Sequence, residues 1–184
     1  MKKLLLHACC GPCASFPILE LQKKFEVIVF YYNPNIHPED EYNRRRDALK
    51  NFCLKNNLAF IESKYDPKIY FEKIKGNENN KKLRCPICYS IRLEEAAKKA
   101  KELKCTHFTT TLLTSPRQDI DLIKKIGEDL GNILYLTFLS TTEKDPKKKF
   151  KGLRSWFTES RKIARAENMY RQNYCGCIFS QKEI

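Results

Sequence analysis

The sequence predicts an α/β domain with a mostly parallel sheet flanked by helices, and three observations carry that prediction. Short apolar runs alternate with longer amphipathic stretches, the pattern of strands joined by crossover helices. The 184 residues suffice for one domain that buries about 70% of its unfolded surface and are too few for two full-sized ones. A hydrophobic content of 42% with 11% aromatics supports a packed core and excludes a disordered chain. The expectation is a single domain over residues 1–184, with the basic segment from about 144 to 184 completing its site.

Leu4 to His7 reads as the first strand. Ala14, Ile18, Leu21 and Phe25 follow at offsets 0, 4, 7 and 11, the apolar stripe of one helix. Val27 to Tyr32 is the second strand. Pro38-Glu39-Asp40-Glu41 places acids in the first turn of a helix whose inner face carries Tyr42, Leu49, Phe52 and Cys53. Phe60-Ile61 is the next strand, and Tyr89, Leu93, Ala96, Ala97, Ala100 and Leu103 stripe the helix after it. His107 to Leu113 is a further strand and Ile133 to Leu139 the last. Between them, Ser115-Pro116 reads as an N-cap with proline at the first helical position, opening a helix through Ile120, Ile123, Ile126 and Leu130 that stops at Gly131. Lys144-Asp145-Pro146-Lys147-Lys148-Lys149 reads as a loop or a solvated charged face. The chain shows no internal repeat and no Gly/Ser linker.

Lys and Arg number 35 against 22 Asp and Glu, a formal charge of +13. A folded domain this basic suggests a polyanionic partner. The apolar run near the start is only Leu4-Leu5-Leu6, too short for a secretion signal or a membrane span. The nine cysteines in 184 residues are about 5% of the chain, below the roughly 8–10% of a secreted disulfide scaffold. The expectation is a cytoplasmic protein without a membrane partner, in a compartment where grouped thiols mean metal or redox chemistry.

Seven of the nine cysteines fall in three groups: Cys9-Cys10-Gly11-Pro12-Cys13, Cys85-Pro86-Ile87-Cys88 and Cys175-Gly176-Cys177. The first lies where the first strand gives way to a helix, so backbone N–H groups and the positive helix end are expected to favour thiolates. The second also reads as a helix start, with Cys85 and Cys88 on one side. Ligands of open α/β sheets bind beyond the carboxyl ends of the strands, where such junctions gather, so two junctions can supply four or five sulfurs to one site. Four thiolates suit tetrahedral zinc or an iron–sulfur cluster, and the ligand set alone does not choose. Adjacent cysteines are unusual for a zinc knuckle, and an excess of thiols over the needs of one zinc favours redox chemistry. Cys53 and Cys105 read as core or edge residues.

Cys10-Gly11-Pro12-Cys13 also has the spacing of thioredoxin-like oxidoreductases. That fold needs a strand and helix ahead of the motif's strand and usually a preceding tryptophan. Here eight residues precede Cys9, and the lone tryptophan is Trp156. Gly11 stands alone after the first strand. With neither S-G-G-x-D-S nor G-x-x-x-x-G-K-[ST], ATP-dependent chemistry is disfavoured.

Several segments together resemble one family: His7-Ala8-Cys9-Cys10-Gly11-Pro12-Cys13, Asn33-Pro34-Asn35-Ile36-His37-Pro38 with Glu41-Tyr42, Arg84-Cys85-Pro86-Ile87-Cys88-Tyr89 with Arg92-Leu93, Thr110-Thr111-Leu112-Leu113 with Ser115-Pro116, and Tyr170-Arg171-Gln172-Asn173-Tyr174-Cys175-Gly176-Cys177-Ile178-Phe179-Ser180. They are similar to the motifs of the QueH family of epoxyqueuosine reductases over nearly the whole chain. The resemblance implies a nucleotide-hydrolase-like three-layer fold and reduction of epoxyqueuosine, at the wobble position of tRNA, to queuosine. It implies a [4Fe-4S] cluster and no cobalamin. By position, Cys9, Cys10, Cys85 and Cys88 match the cluster ligands, and Cys175 with Cys177 match the redox-active pair. Cys13 stands as an additional ligand, to a second iron ion or to the cluster.

The implied substrate lies in a tRNA anticodon loop, where bases stack on aromatics and basic side chains follow the phosphates. Arg44, Lys82, Arg84, Lys148, Arg154 and Arg171 are the candidate tRNA contacts. Tyr89, Tyr174, His7 and His37 are candidate proton donors, though residues of these types more often serve as packed or hydrogen-bonded scaffold. An outside electron donor is an expected second partner. Two other classes compete: a zinc-stapled RNA-binding module without catalysis, and a thioredoxin-like protein disulfide oxidoreductase.

Overall fold

The computed structural model describes residues 1–140 and 152–181, with 152–155 as backbone only. The lysine-rich segment, including Lys148, and the Arg154 side chain lie outside the described residues. Five parallel strands form one sheet in the order β3-β2-β1-β4-β5. They are β1 (Lys2–His7), β2 (Phe25–Tyr31), β3 (Ala59–Glu62), β4 (His107–Thr110) and β5 (Thr137–Phe138). The helices are α1 (Gly11–Leu21), α2 (Glu39–Lys55), α3 (Pro67–Ile74), α4 (Lys81–Glu102), α5 (Ile120–Leu134), α6 (Gly152–Ala166) and α7 (Ile178–Gln181).

The inner strands are continuous apolar runs because both sheet faces are covered. Leu5, Ile28, Phe30 and Phe108 pack with Leu93, Ala96 and Ala97 of α4 and Ile123 of α5. Leu4, Leu6, Val27, Val29 and Tyr31 pack with Ala14 and Ile18 of α1 and Leu49 and Phe52 of α2 on the opposite face. Cys53 and Cys105 are both buried, one in each core. Because β1 is followed by β2 on one side and bordered by β4 on the other, the order reverses there. The carboxyl ends of β1 and β4 therefore flank the position where open α/β sheets take ligands.

Four boundaries differ from the sequence reading. α1 ends at Leu21, and Phe25 instead opens β2 opposite Lys2. β4 ends at Thr110 because Thr111–Thr114 winds into a 3-10 turn, with the Thr110 hydroxyl accepting from Leu112 N at 3.2 Å. α5 begins at Ile120, capped by Asp119, whose carboxylate accepts from Leu122 N at 3.1 Å, so Ser115-Pro116 precedes the helix in a loop. α5 also runs past Gly131 to Leu134, leaving a final strand of two residues. The glycines serve packing. A Cβ on Gly127 would stand 2.5 Å from the Phe138 ring, and one on Gly131 would stand 2.7 Å from the Leu136 carbonyl oxygen. Helix α6 docks on α1 through Trp156, edge-on to Phe16 at 5.6 Å, and through Ser15 Oγ, which donates to the Ser160 carbonyl at 3.3 Å. No described helix is long and apolar enough to cross a membrane.

Candidate active site

β1 ends at His7, which is fully buried. Its Nε2 lies 3.0 Å from the Tyr32 carbonyl and its Nδ1 lies 2.8 Å from the Thr110 hydroxyl. A carbonyl only accepts, so Nε2 carries the proton and Nδ1 accepts. Burial pushes the imidazole down to about 3. Both nitrogens are thus committed to joining β1, β2 and β4, a scaffold role.

The chain then turns into α1 with Cys10 as its N-cap residue. This brings the sulfurs of Cys9, Cys10 and Cys13 within 4.8 Å of one another, with Cys9 and Cys10 at 3.8 Å. Among the described residues no other set of three His, Cys, Asp or Glu donors is so close. Hydrogen bonds with the Cys10 and Cys13 thiols hold Cys9 well below the ordinary thiol range. Burial pushes Cys10 up to about 12, and Cys13 is raised by its hydrogen bonds to Cys10 and Cys9. The helix end was expected to favour thiolates throughout. Only Cys9 follows, because three thiols in mutual contact cannot all ionise. Thr111 Oγ1 donates to Cys9 Sγ at 3.6 Å, and Gln172 Nε2 donates to Cys10 Sγ at 2.8 Å.

The second cysteine pair sits farther into its helix than expected. α4 starts at Lys81 behind an Asn80 cap, so Cys85 lies a turn inside it. Burial raises Cys85 and pushes Cys88 up to about 12. Cys88 packs with Cys177, Tyr70 and Ile74. Both α4 thiols feel Cys175 and Cys177. Four residues after Cys88, the buried Arg92 donates to Asn33 Oδ1 at 2.8 Å and lies in the field of Cys88, Cys9 and Cys175 together. Its guanidinium thus links the two thiol regions.

The segment carrying Cys175 and Cys177 is held from outside. Arg45, 1% exposed, pairs with Glu41 at 2.7 Å and donates to the carbonyls of Cys175 at 3.0 Å and Tyr174 at 3.2 Å. Tyr174 donates to the His37 carbonyl, and His37 N donates to the Gly176 carbonyl at 2.9 Å. Gly176 has φ +130°, and a Cβ there would stand 3.0 Å from Ile36, so the bend between the two cysteines requires glycine. Gln118 Nε2 donates to Cys175 Sγ at 3.4 Å, and Tyr89 donates to Gln118 Oε1 at 2.8 Å. His37 is buried against Phe71 at 4.6 Å, and burial pushes it down to about 4.

A cavity of about 440 Å³ opens between these parts. Cys9 and Cys13 line it together with Cys175, five arginines (Arg45, Arg92, Arg117, Arg161 and Arg171) line it too, and among the described residues no carboxylate does. Of the expected RNA contacts, Arg171 is exposed on this cavity and Lys82 is exposed at the start of α4. Arg44 is exposed on α2 and lies 5.9 Å from the Tyr170 ring. Arg84 is 2% exposed, donates to the Glu78 carbonyl and covers Phe179 at 5.2 Å, so it fastens α7 to α4 away from the surface. Arg117 and Gln118 escaped the sequence reading. Their signal was the polar run straight after Ser115-Pro116, taken there as the opening of a helix.

A cationic cavity walled by thiols from separate segments, at the reversal point of a parallel sheet, defines the class as a parallel α/β protein with a thiol-rich, arginine-lined pocket. The family model described as Epoxyqueuosine reductase QueH matches residues 4–183. Curated proteins of that name from Staphylococcus epidermidis and Dehalococcoides mccartyi are each 32% identical, covering 97% and 98% of this chain and 76% and 93% of their own. The one from Helicobacter pylori is 35% identical over 97% of this chain and 49% of its own. The chain belongs to the epoxyqueuosine reductase QueH family, and so to the oxidoreductases of tRNA queuosine processing.

Two solved structures share the fold. A protein described as a predicted subunit of tRNA methyltransferase, from Methanocaldococcus jannaschii, superposes with TM-score 0.57 at 12% identity over 96% of this chain and 95% of its own. The U34-tRNA thiolase NcsA of Methanococcus maripaludis, solved with its [4Fe-4S] cluster, gives 0.55 at 13% identity over 98% of this chain and 62% of its own.

Proposed function

We propose that this protein reduces epoxyqueuosine at the tRNA wobble position to queuosine, turning the epoxide into an alkene as the last step of queuosine biosynthesis, in the cytoplasm and without cobalamin. The observation that carries the reading is that Cys9 and Cys13 open onto the same arginine-lined cavity as Cys175. The reaction takes two electrons and two protons and releases the oxygen as water. Cys175 and Cys177 supply both in becoming a disulfide, which an outside reductant returns to thiols. A C-x-C disulfide closes a very small ring and is easily reduced, which suits a transient store.

The site also fits a [4Fe-4S] cluster. Its donors are all sulfur, the set that soft iron–sulfur and zinc centres take, and Cys9 and Cys13 of the triad open toward the cavity. Cys9, Cys10, Cys85 and Cys88 are the proposed ligands, with Cys13 an additional one for the cluster or for a second iron. Such a cluster supplies single-electron transfer and a Lewis-acidic iron. Arg92 sets a fixed positive charge between the two thiol regions, where negative charge on the leaving oxygen is stabilised. Arg45 fixes the backbone of the redox pair, and Gln118 donates to Cys175 Sγ. Arg171, Arg44 and Lys82 extend the cation field that receives the RNA.

The test is purification without oxygen, followed by iron and sulfide analysis, a visible spectrum and turnover of epoxyqueuosine-containing tRNA followed by nucleoside mass spectrometry. Brown protein with about four irons per chain that forms queuosine supports the reading. A colourless protein holding one zinc and forming no queuosine overturns it in favour of an RNA-binding module.

A further inference from the structure

Helix α6 presents two adjacent faces with different neighbours. Trp156 and Ser160, four residues apart, turn to α1. Phe157 and Arg161, also four apart and therefore on one face, turn to the cavity. Phe157 is only partly buried and, among the described residues, packs against none of the three hydrophobic clusters of the fold. Its ring instead lies under the Arg161 guanidinium, 5.7 Å from centroid to Cζ. Arg117 and Arg171, both exposed, share this rim, and Arg117 is steadied by donating to the Asn173 carbonyl at 3.1 Å.

A cavity of about 440 Å³ is in the range that holds one small ligand. If the modified nucleoside enters it, the neighbouring nucleotides of the same loop must lie on the rim. Proteins bind unpaired bases by stacking them on aromatic rings and guanidinium planes, with cations on the phosphates.

We propose that Phe157, overlain by Arg161, is the stacking platform for the base of a nucleotide flanking the modified one, with Arg117 and Arg171 taking the adjoining phosphates. This rests on the tRNA-reductase reading and extends it to residues outside the thiol regions. The probe is an anticodon stem–loop carrying epoxyqueuosine, with its affinity for the anaerobically prepared holoprotein measured by fluorescence anisotropy. Phe157→Ala and Phe157→Leu should each weaken binding about tenfold, within the span expected for one stacked base. Phe157→Trp should bind within about twofold of the parent, because its ring still stacks. Leucine keeps the helix and the apolar bulk, so a loss shared by alanine and leucine and rescued by tryptophan identifies stacking. Wild-type affinity in Phe157→Leu, or equal loss in Phe157→Trp, overturns the platform while leaving the functional reading intact. A parent protein that turns over no epoxyqueuosine in this stem–loop marks failure of the functional reading instead.

Discussion

The two thiol regions facing the cavity are built in opposite ways. Cys9, Cys10 and Cys13 are positioned by main chain: β1 is paired on both sides, α1 follows within three residues, and the sulfurs converge because of that turn. Cys175 and Cys177 lie between α6 and α7, where Arg45, Tyr174, the His37 amide and Gln118 tie the segment to the body by hydrogen bonds. The backbone that carries the first three cysteines cannot shift without breaking the end of β1 or the helix start. In the second region it can shift when a few side-chain bonds are exchanged. A fixed array suits the holding of an inorganic group, whereas a tethered pair suits thiols whose separation must shorten when a disulfide forms.

Serine variants test that contrast most severely. Cys9→Ser and Cys10→Ser should lose iron and activity completely, since a hard oxygen ligand holds iron–sulfur clusters poorly. Cys85→Ser and Cys88→Ser should do the same if α4 completes the ligand set. Cys175→Ser and Cys177→Ser should keep a full iron complement and bind tRNA but form no queuosine, because neither can close the disulfide that supplies the electrons. Iron lost in step with activity in the last pair would make the tethered thiols ligands. Full iron in both α4 variants would confine metal binding to the triad, and Cys13→Ser would then lose iron as Cys9→Ser does.

Arg45→Met should have the next largest effect. It leaves Glu41, itself 6% exposed, without its cation and frees the carbonyls of Tyr174 and Cys175. Breaking one side of a buried pair costs about 3–5 kcal/mol, or roughly 10 °C in Tm for a chain this size, measurable by calorimetry. Glu41→Leu combined with Arg45→Met should recover much of that stability and none of the turnover. Recovery of turnover as well would mean the tether has no role in placing the pair.

What the sequence showed and what it hid follow from the same division. β1 and β2 were legible because burial on both faces writes them as unbroken apolar runs, and the stripe of α4 was legible because one face is alanine and leucine. The end of α5 was misread because Gly131 looks like a helix stop, whereas its missing Cβ admits the Leu136 carbonyl. The three cysteine groups announced a site. Their arrangement did not show, since the triad closes on itself while Cys85 and Cys88 neighbour Cys175 and Cys177 only through the packing of α4 against the last segment. Arg84 and Arg171 are alike in sequence and opposite in fate, one buried over Phe179 and one on the cavity. Local pattern carries no sign of that difference.

The smallest expected effect sharpens the comparison at a single hydrogen bond. Gln118 has an amide that can face Cys175 with its NH₂ or with its oxygen, and only the NH₂ can donate to the sulfur. Tyr89 fixes the choice by donating to Oε1, while the Asp119 amide donates to the Tyr89 oxygen at 3.4 Å. In Gln118→Leu the donor to Sγ is gone, and alkylation of Cys175 by iodoacetamide at fixed pH should slow about fivefold, the scale of one net hydrogen bond. In Tyr89→Phe the donor remains but its orientation is no longer imposed, so the slowing should be only about two- to threefold. Quantifying the alkylated Cys175 peptide by mass spectrometry reads both variants, with circular dichroism confirming the fold. Parent-like rates in Gln118→Leu would reduce Gln118 to a packing residue. A larger effect in Tyr89→Phe than in Gln118→Leu would mean that Tyr89 acts on the sulfur by a route other than the amide.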